Sequence, residues 1–397
     1  MRRAGAVLAA LAAALLAGCT SSSTGRHPTT SSPGTKPPST AATASAPATQ
    51  AAPGPRTVTI LGSGDVLIHP QLWEQAHADA RAAGRHGYDF GPMYASIAPD
   101  VRRADLAICE METPLAPPGG PFVGWPDFSA PPQVLTALTG VGYRSCTTAS
   151  NHTLDQGYTG LKRTLDELDA AGLRHTGSAR SATEAARPLI ITTAGGVRVG
   201  QLAYSFNFNG HEPDAGRQWE ANLIDVPAIL AAAHRLKRAG ADVVVLSMHW
   251  GVEYDHLATA EQRSQAHRLL ASKDIDLILG DHAHVVQPAE RIHGKWVFYC
   301  MGNQISRHAD PIAESREGLM PMITFTEDAR HRFRVSSAVA IPTWMQDDPA
   351  LRLVDLPRSL ASGSLPAGQR SEQEAAHRAI VQYLDAYGAV GDGLRIR

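Results

Sequence analysis

From residue 57 onward the chain alternates short apolar runs with amphipathic stretches. Thr57-Val58-Thr59-Ile60-Leu61 reads as a buried strand, ended by Gly62-Ser63-Gly64. Residues 106–109 and 143–147 predict two further strands, with a short helix over 134–138 between them. Leu161, Leu165 and Leu168 recur at helical spacing, and Gly172 follows as a cap. Runs at 189–193 and 197–204 flank Gly195-Gly196, the pattern of a hairpin. A helix is predicted over 227–238, with Pro near its start and Gly240 after its end. Strands at 243–248, 275–279 and 296–300 then enclose a helix at 261–271. Strands alternating with helices predict an α/β domain with buried, largely parallel sheets. After about Pro342 the pattern weakens to one helix near 372–387.

The first 55 residues follow a different rule. Arg2 and Arg3 precede an apolar Ala/Leu run at 4–18, too short for a transmembrane helix. The run ends in Leu16-Ala17-Gly18-Cys19, the pattern of a bacterial lipobox. The expectation is a lipoprotein signal peptide at 1–18 and a diacylated Cys19. That places the chain on the extracytoplasmic face of the bacterial cell membrane. The other reading is a plain secretory signal with a chance cysteine. Residues 19–55 are almost entirely Ser, Thr, Pro, Ala and Gly, and are expected to form a disordered tether. The folded domain is then expected over 56–345, with a helical C-terminal extension at 346–397.

Composition narrows the picture further. The 397 residues carry 36 Lys+Arg against 38 Asp+Glu, so a strongly basic nucleic-acid binder is excluded. Four cysteines are too few for a disulfide scaffold. Cys109, Cys146 and Cys300 lie in apolar runs and read as buried thiols, with a Cys109–Cys146 disulfide as the alternative.

The seventeen histidines are many for this length, and several cluster with acids just after the predicted strands. In order come Gly64-Asp65 with His69, Glu110-Met111-Glu112, Asn151-His152 with Asp155, His249, and Asp281-His282-Ala283-His284. In an α/β sheet the carboxyl ends of the strands converge on one crevice. A mixed O/N donor set there suits Mn, Fe or Zn better than Ca or Mg. Two ions need about six or seven ligands with one bridging carboxylate. Asp65, Glu112, Asn151, His249, His282 and His284 supply them, with His69 as an extra. Singly, each residue has a plainer reading: a turn for Asp65, a hydrogen-bonded core histidine for His249. Their order and placement carry the metal reading.

These motifs resemble the CapA/PgsA-type poly-gamma-glutamate capsule biosynthesis proteins, within the calcineurin-like phosphoesterase superfamily. The matching residues are Gly64-Asp65, Glu112-Thr113-Pro114-Leu115, Asn151-His152 with Asp155 and Gly157, His249 to Tyr254, Gly280 with His282 and His284, and Gly302-Asn303. The sequence departs from the family pattern at Glu110, Ser150, Asp281 and Gln304. Glu110 either joins Glu112 at the metals or stands behind it.

The resemblance implies a metallophosphoesterase-like layered α/β/β/α sandwich with a dimetal centre. It also implies His152 as general acid for the leaving oxygen. Asp155 either orients His152 or serves as a helix N-terminal charge. Glu253 and Tyr254 either line the pocket or belong to a solvated loop.

Two readings of function follow: a metal-dependent phosphoesterase of the envelope, or a non-hydrolytic metal-binding factor for polymer synthesis, export or anchoring. The expected partners are an anionic polymer or phosphoester substrate and membrane-bound polymer synthase components. A 5′-nucleotidase-like reading needs a further base-stacking domain, and only about fifty residues follow Thr343, short of an ordinary domain.

Overall fold

The computed structural model describes residues 54–308 and 312–397. The signal peptide, Cys19 and the tether through residue 53 lie outside the described residues.

Two β-sheets form the centre. The first holds β1 (Thr57–Val66), β2 (Leu106–Glu110), β3 (Ser145–Thr147) and β4 (Arg174–Thr176) in parallel order. The second holds β5 (Leu189–Thr192), β6 (Arg198–Ser205), β7 (Val243–His249), β8 (Leu277–Asp281), β9 (Ala289–Ile292) and β10 (Lys295–Phe298). Its β6, β7, β8 and β10 run parallel, and β5 and β9 close its edges antiparallel. The chain then returns to the first sheet. There β11 (Asn303–Ile305) pairs parallel with β1, and β12 (Glu317–Glu327) and β13 (Phe333–Gln346) extend it antiparallel. Short β14 (Arg352–Asp355) and β15 (Arg395–Ile396) both pair with β13. Residues 346–397 therefore supply two strands to the sheet besides the helix Ala367–Leu384.

Strand periodicity builds the layers. On β7, Val243 and Val245 face the first sheet, in one core with Ile60, Ile108 and Ile323. Val244 and Leu246 point the other way, onto the helices Val226–Arg238 and Ala260–Ala271. On β2, Ile108 joins the core between the sheets. Ala107 and Cys109 join a third core under the helices Val134–Val141 and Gly157–Ala170. This period-2 division of apolar side chains gives helix, sheet, sheet and helix in turn. The architecture is the α/β/β/α sandwich with mixed sheets that the family resemblance implies.

The cysteine reading is corrected at one pair. Cys109 and Cys146 are direct register partners on β2 and β3, with Cα atoms 4.4 Å apart, and they form a disulfide. Closing a separation of 37 residues restrains the unfolded chain by about 4 kcal/mol. Cys300 remains a buried free thiol.

Candidate metal centre

The parallel strands of both sheets end at the same edge. Asp65 near the end of β1 is the register partner of Glu110 on β2 and of Asn303 on β11. His249 ends β7 opposite Asp281, which ends β8. Two glycines allow this crowding. A side chain at Gly64 would run into the Gly302 carbonyl, and one at Gly280 into the Tyr299 carbonyl. Beyond β8, His282 and His284 adopt left-handed backbone, with φ of 94° and 57°. Such positions cost of order 1–3 kcal/mol each and persist where surrounding structure enforces them.

Asp65 belongs to two clusters at once. Asp65, Glu110 and His249 bring ligand atoms within 4.8 Å of one another, and so do Asp65, Glu112 and His284. A third cluster joins Glu253, His282 and His284. The Asp65 carboxylate lies 2.9 Å from Nδ1 of His284 and accepts from the backbone N–H of His282. Nε2 of His249 donates to Oδ1 of Asn151 at 3.0 Å, and its Nδ1 lies 3.5 Å from Glu110. The rings of His249 and His282 are 4.8 Å apart.

Asp65, Glu112, Asn151, His249, His282 and His284 thus meet at one place. His69 stands apart from it: its Nδ1 contacts the Leu67 carbonyl, and its ring packs 4.5 Å from His308. Glu110, which the sequence left open, faces the ligand atoms. His308 was missed by sequence reasoning, and Asp281 was noted among the strand-end residues without being given a ligand role. Asp281 ends β8 beside His249 and leaves Oδ1 buried without a partner. For His308 the sequence holds no signal.

The donor chemistry fits divalent ions. Both carboxylate oxygens of Glu110 and of Glu112, Oδ1 of Asp281, and Nδ1 of both His249 and His282 are buried without a hydrogen-bond partner. Unpartnered buried acids are costly unless a cation or proton meets them. Burial, then Asp65, raises Glu110 well above the usual carboxylate range. Burial also raises Glu112, against the pull of His284. His284 goes the other way: burial opposes its charge, but Glu112 and Asp65 raise it to about 10.

These shifts set a pH dependence. The raised carboxyls stabilise the fold while protonated, and that stability is lost as pH rises through their folded values. His284 adds a loss in the same direction, between its ordinary 6.5 and its folded value of about 10. Burial depresses His249 and His282, whose contributions are lost only as pH falls below 6.5. Thermal melts of the metal-free chain should therefore show Tm falling from pH 6.5 to about 10. Mn²⁺ should reverse the slope, because ligation needs deprotonated groups. A metal-free Tm that rises across this window would contradict the cluster's geometry.

Beside the clusters, Oδ2 of Asp155 lies 2.7 Å from Nδ1 of His152 and accepts from the Phe128 N–H at 2.7 Å. Burial raises Asp155, opposed by its bond to His152. Phe128 meets the His152 ring edge-on at 4.8 Å. Nδ1 is thus engaged, and Nε2 is left for the cleft of about 720 Å³ that His152, Asn151 and His284 line. Glu253 and Tyr254 line the same cleft.

A layered sandwich with a buried acid–imidazole cluster at its strand ends defines a candidate metal-binding protein. Residues 59–308, more than half of the chain, match the family described as bacterial capsule synthesis protein PGA_cap, and the chain belongs to that family. It is 30% identical over 171 residues to the PGA biosynthesis protein CapA of Bacillus subtilis (strain 168), covering 43% of this chain and 44% of that one. It is 25% identical over 254 residues to the capsule biosynthesis protein CapA of Bacillus anthracis, covering 62% and 59%. The chain thus spans about half the length of these two relatives. The calcineurin-like phosphoesterase YfkN from Bacillus subtilis aligns with a TM-score of 0.44 at 14% identity, over 83% of this chain and 99% of that one.

Proposed function

We propose that this chain is a CapA-like envelope lipoprotein of poly-gamma-glutamate-type capsule synthesis that carries a dimetal phosphoesterase site. The observation that supports the site most is the sharing of Asp65 between two buried clusters, one with Glu110 and His249, the other with Glu112 and His284. Asn151 and His282 complete the donor set. Bound Mn, Fe or Zn ions supply Lewis acidity toward phosphoryl oxygens and lower the pKa of water.

The chain's own residues do the rest. Asp155 holds Nδ1 of His152, so the proton for the leaving oxygen is carried on Nε2. Phe128 walls that imidazole from solvent on one side. Asn151 fixes the His249 ring through Nε2.

The test is metal analysis of the purified chain, with turnover of phosphate mono- and diesters in added Mn²⁺. About two ions per chain and metal-dependent turnover are expected. Bound metal without turnover would leave the non-hydrolytic role in polymer synthesis, export or anchoring. For the envelope address, Cys19→Ala should release the chain from the membrane fraction. No helix among the described residues is long and apolar enough to cross a membrane. Palmitate labelling that persists in the Cys19→Ala protein would remove the lipid-anchor reading.

A further inference from the structure

The cleft beside the metal centre has a chemistry of its own. Among the described residues that line it there is no lysine or arginine, and its charged rim groups are Asp127 and Glu253. Away from the metal centre and His284, a polyanion threaded through it would find no lysine or arginine and would face Glu253 and Asp127, the latter paired with His211 at 3.0 Å. At the mouth stands Trp125, 78% exposed, the most exposed large apolar side chain among the described residues.

The backbone under Trp125 is held on several sides. Val123 and Ser129 exchange two backbone hydrogen bonds, of 3.0 and 2.9 Å. Phe128 donates to Asp155, the partner of His152. A Cβ on Gly124 would meet the Pro70 ring at 2.8 Å, so the loop lies flush against the helix Pro70–Ala82. Phe122 packs edge-on to Tyr88 at 5.3 Å. An indole presented to solvent on a fixed loop beside a reaction cleft is a stacking platform. Around it lie hydroxyl-matching groups: Oε1 of Gln71, buried and without a partner, Asn209, and the Asp127 carboxylate.

Resting on the phosphoesterase reading above, we propose that the substrate is a sugar phosphoester with one anionic group. Its phosphoryl faces the metal centre, and its uncharged sugar ring stacks on Trp125 within reach of Gln71, Asn209 and Asp127. The polymer itself is not the occupant of this cleft. In the reaction, water adds to phosphorus and the P–O bond to the sugar breaks. The sugar oxygen leaves with the proton from His152 Nε2, and the proton shed by the attacking water passes to solvent.

The test uses the full chain loaded with Mn²⁺, in calorimetric titrations with glucose 1-phosphate, methyl phosphate, phenyl phosphate and a γ-linked glutamate oligomer. Trp125→Ala is expected to weaken glucose 1-phosphate about tenfold and to leave methyl phosphate within about twofold. Trp125→Phe should recover most of the loss. Equal weakening of both esters, a glutamate oligomer that binds more tightly than glucose 1-phosphate, or a Trp125 effect confined to phenyl phosphate would each overturn the assignment. Turnover of the same esters separates the two readings. Selective binding through Trp125 without turnover of any ester sinks the hydrolase reading and keeps the sugar platform. Turnover that is indifferent to Trp125 does the reverse.

Discussion

Asp65→Asn should empty both metal positions together. No other residue belongs to both the Glu110–His249 and the Glu112–His284 clusters. The other ligands of each cluster would lose their common carboxylate, while the backbone around the site stays tied by the Asp65 N–H bond to Gly302. Metal content is expected to fall from about two ions per chain to well under one, and turnover by about 10³-fold or more. The rise in Tm that Mn²⁺ gives the wild type should vanish as well, because that rise is binding free energy. His69→Ala is the contrast. That imidazole contacts Leu67 and His308 rather than the clusters, so metal content should be unchanged. An Asp65→Asn protein that keeps one tightly held ion would show that the clusters are independent and that Asp65 does not bridge.

The second large effect falls on His152. His152→Ala should retain both ions yet lose about 10²- to 10⁴-fold in turnover of alkyl phosphates, whose leaving oxygen needs a proton. The loss should shrink for 4-nitrophenyl phosphate, whose leaving group departs without one. Asp155→Asn is expected to cost less, roughly 10- to 100-fold, since it weakens the hold on Nδ1 and on the Phe128 N–H but leaves Nε2 in place. Equal losses on both ester types would remove the proton-donor role and leave His152 as a binding group.

Much of this was legible in the sequence, for definable reasons. The buried parallel strands announce themselves as short apolar runs, and the residues that follow them must gather at one edge. Asp65, Glu112, Asn151, His249, His282 and His284 could therefore be assembled from strand ends alone. The long hairpin of β12 and β13 was not legible. Pro321 and Pro342 sit inside those strands, where proline argues against a ladder, yet they pair opposite Ala340 and Leu319. The Cys109–Cys146 bond stood in the sequence only as the alternative, because choosing it depends on β2 and β3 being neighbours in register. His69 shows the converse limit. Its spacing from Asp65 suggests a ligand, but its ring contacts Leu67 and His308 in the cleft wall rather than the clusters. Asp155 left two readings in the sequence, and its 2.7 Å bond to His152 favours the orienting one.

The placement of β1 also has a mechanical consequence. The chain enters the first sheet at Thr57, and Arg56 is bonded there to Glu327 at 3.0 Å and to Asp242 at 3.2 Å. From that point β1 is flanked by β12 on one side and β2 on the other. Tension from residues before Thr57 runs along the strand, so it loads both ladders in shear and strains their rungs together. A sheet pulled at an edge strand would instead unzip one rung at a time. Asp65 lies at the far end of the same strand, so a pull from the N-terminal side has to break the strongest direction of the sheet before it reaches the metal centre.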